Sequence, residues 1–171
     1  MEKFQLEYDL GCEHIIKTHG KVEGTDFVVG QRNYDLVVFP RGWKNLDLST
    51  FELLKRYVDN GGQILSMTEP PQYIDGQKND DFAQLISQHN ACWNQADDIA
   101  DPRALRLLNN PEFQVDEPQH VQAKVFHHRR YVEDGQIIFW CNFSEKDEAS
   151  VTFKAKGRSV SRLCAFSGKI M

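Results

Sequence analysis

The chain lacks the features that mark several functional classes. No run of about 18 apolar residues occurs, the least a membrane-spanning helix needs, so no membrane partner is expected. The opening MEKFQLEYDL has neither the basic start nor the apolar core of a signal peptide. The four cysteines, Cys12, Cys92, Cys141 and Cys164, form no C-x-x-C pair and no metal-ligand spacing, so four free thiols are expected. Histidines give no better ligand set. His14 and His19 do not share a helix face as an i, i+4 pair would, and the adjacent His127 and His128 point to opposite sides of a strand. No metal or other cofactor is expected.

Basic charge is also scarce. A net charge of -5 and a pI near 5.7 speak against nucleic acid, whose binders carry a basic face. The one basic cluster, HHRR at 127–130, is too short to track phosphates and lies among strand-forming residues. Asn142-Phe143-Ser144 is a glycosylation sequon, meaningful only in a secretory pathway.

What is present is an α/β pattern. The apolar run Leu36 to Phe39 reads as a strand covered on both faces. Ser49 and Glu52 make a capping-box pattern, with Leu48 and Leu53 at the staple positions. Phe51, Leu54, Tyr57 and Val58 then share one helix face, and Gly61 offers a left-handed C-cap. A strand from Gln63 to Met67 completes a βαβ unit. Asn79 to Gln88 reads as a second helix with Phe82, Leu85 and Ile86 inward, and Asp101-Pro102 opens another that ends at Asn109, Asn110 and Pro111.

The last third turns to strands. KVFHHRRYV and IIFWCNF flank Asp134-Gly135, read as a two-residue hairpin turn that sets Val132 opposite Ile137 and His128 opposite Cys141. Both hairpin faces are partly apolar, so packing on both sides is expected. Residues 150–156 alternate as a strand, and 159–166 read as another. The expected organisation is an α/β domain over 1–112 and an antiparallel β region of three or four strands over 113–171.

Ligands of open α/β sheets bind beyond the carboxyl ends of the strands. That rule points to Arg41, Trp43, Glu69, Tyr73 and Asp75 as a ligand-binding rim, an aromatic beside carboxylates suiting a sugar or small polyol. His128 and Arg130 share a hairpin face with apolar residues, which assigns them to a structural ion pair or an interface. No catalytic residue is expected. Ser66 and Thr68 stand where α/β enzymes place a nucleophile, but Pro70 and Pro71 force an extended exit, not a nucleophile elbow.

YDLVVFPRG, the capped helix and NGGQILSM together resemble the core of the class I glutamine amidotransferase-like fold, with Leu65, Ser66 and Met67 where its nucleophile and flanking glycines would stand. Over most of the chain, VEGTDFVVGQRNYDLVVFP, LLKRYVDNGGQIL, HHRRYVEDGQIIFWCNFS and VTFKAKGRSVSRLCAFSGKI, in that order, resemble the region downstream of the catalytic barrel in large α-L-rhamnosidase-like glycoside hydrolases. His128, Arg129, Gly135, Phe139, Asn142 and Gly168 carry that resemblance.

The resemblance implies a flavodoxin-like, mostly parallel sheet with helices on both faces, followed by a small antiparallel sheet. It also implies a non-catalytic accessory domain of a carbohydrate-active glycoside hydrolase, an excised segment or reduced relative whose acid and base carboxylates lie in the barrel. Its partners would be that barrel or a second copy, in a periplasmic or secreted parent. A stand-alone sugar-binding module and a ligand-free scaffold are the alternatives.

Overall fold

A computed structural model describes residues 4–110, 112–116 and 125–171. Two compact units divide the chain, Asp9–Leu108 and a second made of Met1–Tyr8 with Asn109–Met171. Pro111 and Lys124, expected at a helix end and a hairpin start, lie outside the described residues.

The Asp9–Leu108 unit starts with helix α1 (Glu13–His19) and an antiparallel meander, β1 (Gly20–Glu23), β2 (Asp26–Val29) and β3 (Arg32–Tyr34). Then come β4 (Leu36–Phe39), β5 (Asn45–Leu46), α2 (Leu48–Asp59) and β6 (Gln63–Ser66). A short hairpin, β7 (Tyr73–Ile74) and β8 (Gln77–Lys78), precedes α3 (Asp81–Gln88), β9 (Trp93–Gln95) and α4 (Pro102–Leu108). Strands β4, β6 and β9 pair in parallel, with Phe39 beside Ser66 and Ser66 beside Gln95.

Alternation along β6 feeds two apolar clusters, because successive strand side chains point to opposite faces. Ile64 joins Phe39, Leu54, Tyr57 and Phe82 in the larger one. Leu65 joins Ala96 and Ala104 in the smaller, with Leu36, Val38 and Leu107 packed against it. Phe39, Phe82 and Trp93 meet with ring centroids 5.7 to 5.9 Å apart. Each fully buried side chain of this size contributes about 1.5–3 kcal/mol from leaving water.

Helix α2 buries Phe51, Leu54, Tyr57 and Val58, the face expected from their spacing. Its C-terminus is a Schellman motif. Gly61 takes a φ of +90°, its N–H donates to Val58 O at 2.9 Å, and the Gly62 N–H donates to Tyr57 O at 2.8 Å. Its N-terminus differs from expectation. The helix begins at Leu48, with Asp47 at the cap position and no capping bond from its side chain, so the Ser49–Glu52 capping box does not form. Asp75 Oδ1 instead accepts the Leu48 N–H at 3.0 Å, and Glu13 Oε2 accepts the Asp47 N–H at 2.7 Å. Leu48, 49% exposed, does not act as a staple. Asp101 does cap α4, its Oδ1 accepting the Arg103 N–H at 2.8 Å.

The expected flavodoxin-like or amidotransferase-like sheet, large and parallel with helices on both faces, does not form. Among the described residues the main parallel sheet stops at three strands, β5 and β7 add only a two-residue parallel pair in another sheet, and small antiparallel sheets take up the rest. The residues before Leu36 close on themselves as the antiparallel β1-β2-β3 meander. After β6, the two prolines and the Asp75-Gly76 turn, both residues at positive φ, send the chain through β7 and β8 before α3 leads to β9.

The second unit contains β10 (Phe113–Val115), β11 (Val125–Val132), β12 (Gly135–Asn142) and β13 (Phe153–Ala155). They form two two-stranded antiparallel sheets, β10 with β13 and β11 with β12, and not one sheet of three or four strands. Residues 159–166 make no strand. A single bridge, Leu163 to Ile170, spans a turn in which the Gly168 N–H donates to Cys164 O at 2.8 Å.

Candidate functional site

The rim expected beyond the parallel strands is largely tied up in structure. Beyond β4 and β6 the two loops are sewn together: the Met67 N–H donates to Phe39 O at 3.0 Å, and the Gln72 and Tyr73 N–H groups reach Lys44 O at 3.1 Å. Arg41 donates to Asp97 O and lies 4.0 Å from the Asp98 carboxylate. Glu69 accepts from Gln95 Nε2 at 2.9 Å. Both therefore face the end of β9.

The other three do separate jobs. Trp43 is half-buried against Phe39, centroids 5.8 Å apart, and its Nε1 meets no acceptor among the described residues. Asp75 holds the start of α2. Tyr73, 38% exposed on β7, is the most open aromatic of the group. Among the described residues no hydrogen bond or ion pair joins any two of the five. Ser66 is fully buried, its hydroxyl turned back to donate to Thr68 O at 2.8 Å.

The hairpin β11–β12 carries a different constellation. Its turn is Glu133-Asp134, which puts Arg130 opposite Ile137 and His128 opposite Phe139. The register thus differs by two residues from the expected one. A shift of two preserves which side chains share a face. The face of His128 and Arg130 is nevertheless the exposed one, so neither is a buried group and packing on both sides is not observed. Ile137 is 51%, Phe139 54% and Phe143 65% exposed on or beside it.

The buried guanidinium belongs to Arg129, on the other face and 8% exposed. Arg129 Nε donates to Glu7 Oε1 at 2.9 Å and Nη2 to Glu7 Oε2 at 2.5 Å, a forked pairing of the kind guanidinium geometry favours. Nη1 donates to Tyr131 Oη at 2.8 Å and to Gln136 Oε1 at 3.2 Å. Tyr131 passes its own proton toward Glu112 Oε2 at 2.7 Å, and Lys156 donates to Glu112 Oε1 at 2.8 Å. His127 Nδ1 lies 3.0 Å from Gln5 Oε1, and its Nε2 stands 3.6 Å from Glu7 Oε1, beyond hydrogen-bond reach.

Rings enclose these polar groups. His127 lies between Phe113 and Trp140, centroids 4.7 and 5.1 Å away, and the guanidinium carbon is 5.3 Å from the Phe113 centroid. Burial pushes the Glu7 carboxyl up, but the hydrogen bonds from Arg129 and the guanidinium charge, with the His127 ring close by, outweigh it and bring the pKa down to about 2. Arg129 is held above its ordinary value chiefly by the hydrogen bond to Glu7. The arrangement binds a carboxylate firmly and offers no nucleophile.

Sequence reasoning missed Glu7, His127 and Arg129 as a group. Glu7 is 122 residues from Arg129, and nothing local announces that pairing. Among the described residues no three His, Cys, Asp or Glu side chains could together hold a metal ion, and all four cysteines are free. No helix among the described residues is long and apolar enough to cross a membrane. No protein-family model, curated protein or solved structure matches the chain.

Proposed function

We propose that this chain is a non-catalytic accessory domain of, or related to, a carbohydrate-active glycoside hydrolase, and that it supports a catalytic barrel domain. The observation that carries this reading is the outer face of the β11–β12 hairpin. Ile137, Phe139 and Phe143 stand more than half exposed there, with Val132 at 43%, around His128 and the Arg130 guanidinium. Apolar clusters of this kind mark interaction surfaces, and isolated exposed apolar residues do not. The matching barrel surface would be apolar with a carboxylate facing Arg130. A like face from a second copy would bring a second Arg130 and no acid from the strands of that face.

The buried, internally bonded Ser66 supports a non-catalytic role at the strand end. The ordered resemblance through His128, Arg129, Gly135, Phe139, Asn142 and Gly168 supports the parent class. The test is an NMR titration with monosaccharides, L-rhamnose included, alongside light scattering. No saturable shift with any sugar is expected. A saturable shift centred on Trp43 and Glu69 would overturn the accessory reading in favour of a sugar-binding module.

A further inference from the structure

The inner face of the hairpin is a built recognition site whose occupant comes from far away in sequence. Phe4–Tyr8 crosses it with two polar side chains spaced by two. Gln5 Nε2 donates to Val125 O at 2.8 Å, and its Oε1 meets His127 at 3.0 Å. Glu7 takes the forked pair from Arg129, and Asn110 Nδ2 reaches Glu7 Oε2 at 3.5 Å. The receiving groups are held by their own partners. Arg129 is braced by Tyr131 and Gln136, and His127 is wedged between rings. Glu7, by contrast, keeps a third of its side chain open, at 31% exposure against 5% for Arg129. A rigid cationic socket thus holds a more loosely covered carboxylate.

Chain connectivity makes the occupant detachable in principle. The arm belongs to one compact unit, but the chain passes into the other unit directly after Tyr8 and returns only at Asn109. Opening at the Tyr8–Asp9 junction would let Phe4–Tyr8 lift off the hairpin without unravelling any strand among the described residues. It would also strip the Arg129 guanidinium of its forked carboxylate partner, which favours refilling. We propose that the Arg129–His127 socket is a docking site for a glutamine-x-glutamate segment that turns at its glutamine, closed in this chain by its own Gln5 and Glu7, and that it takes the same arm from a second copy. Exchange of an identical element restores every contact and so costs little beyond opening.

The test uses the full-length chain carrying Gln5→Ala and Glu7→Ala, titrated into a fluorescein-labelled peptide of sequence MEKFQLEYDL with anisotropy as readout. Saturable binding is expected. The wild-type chain should bind at least about tenfold more weakly, because its tethered arm competes at high effective concentration. A peptide with glutamine in place of its second glutamate after Met1, the Glu7 equivalent, should not bind, nor should the arm variant that also carries Arg129→Met. Absence of saturable binding by an arm variant with native near-ultraviolet circular dichroism would overturn the proposal, as would equal binding by wild type and variant. If the arm variant does not fold, the chain carrying Glu7→Gln alone decides. Peptide-restored amide protection across Val125–Val132 supports the site, and unrestored protection refutes it.

Discussion

Glu7 shows how a single exposed-looking acid near a chain end can hold a distant element. Its pKa, about 2 against an ordinary 4.5, lies below the unfolded value, so the group adds stability above pH 4.5 that is lost as pH falls toward 2. The groups facing it are Arg129 and His127, with Asn110 at its edge. Acidification through that window should raise amide exchange at Val125–Val132 before it does so at Ile64–Ser66. Glu7→Gln should remove the pH dependence, and an unchanged profile in that variant would show that another acid sets it. Gly62 is a second residue with one physical meaning. A Cβ there would sit 2.3 Å from the Tyr57 ring. That ring is buried, and its hydroxyl lies 2.9 Å from Asp35 O while accepting the Gln63 N–H at 3.1 Å, so it has nowhere to move. Gly62→Ala should cost about 1–3 kcal/mol in urea unfolding.

Elements in this chain are completed by residues outside them. Helix α2 was legible from its apolar spacing and from Gly61, but its N-terminus was not. The Ser49–Glu52 pattern satisfied the sequence rule, yet Asp75 reaches Leu48 first because the β7–β8 turn places it there. Asp75→Ala should therefore cost about 0.5–2 kcal/mol, as loss of a cap does, whereas Asp75→Asn should cost less because asparagine keeps the acceptor and tolerates the φ of +50°. Equal losses in thermal denaturation would deny the capping role. The β11–β12 hairpin gives the opposite lesson. Its existence and its two faces were legible from alternation and from the turn residues, while the choice of buried face was not. The face of Phe126, Val132, Ile137 and Phe139 is the more apolar, yet it is the one left outward. Packing of Phe113, His127, Trp140 and Phe153 covers the other. Ile137→Ser with Phe139→Ser should then change stability in urea unfolding by no more than about 0.5 kcal/mol. A large loss of stability would mean that the outer face is packed in solution.

At the scale of the whole molecule, local pattern and tertiary context divided the work. The sequence by itself determined part of the secondary structure: the apolar run Leu36–Phe39, the face of α2, the Phe82–Leu85–Ile86 stripe of α3 and the Asp101 cap of α4 all depend on neighbours within a turn or two. It also set the exit from β6, because Pro70 and Pro71 hold the chain extended after Glu69. Tertiary structure alone decided the size of the main parallel sheet, since β1 to β3 pair with one another and, among the described residues, β4, β6 and β9 make it up while β5 and β7 pair in parallel in a separate sheet. It alone decided that Arg129, and not Arg130, is buried. Neighbouring residues of a strand alternate faces, so their environments are set by what packs on each side, and the carboxylate that makes burial of a guanidinium tolerable came from Glu7, 122 residues away.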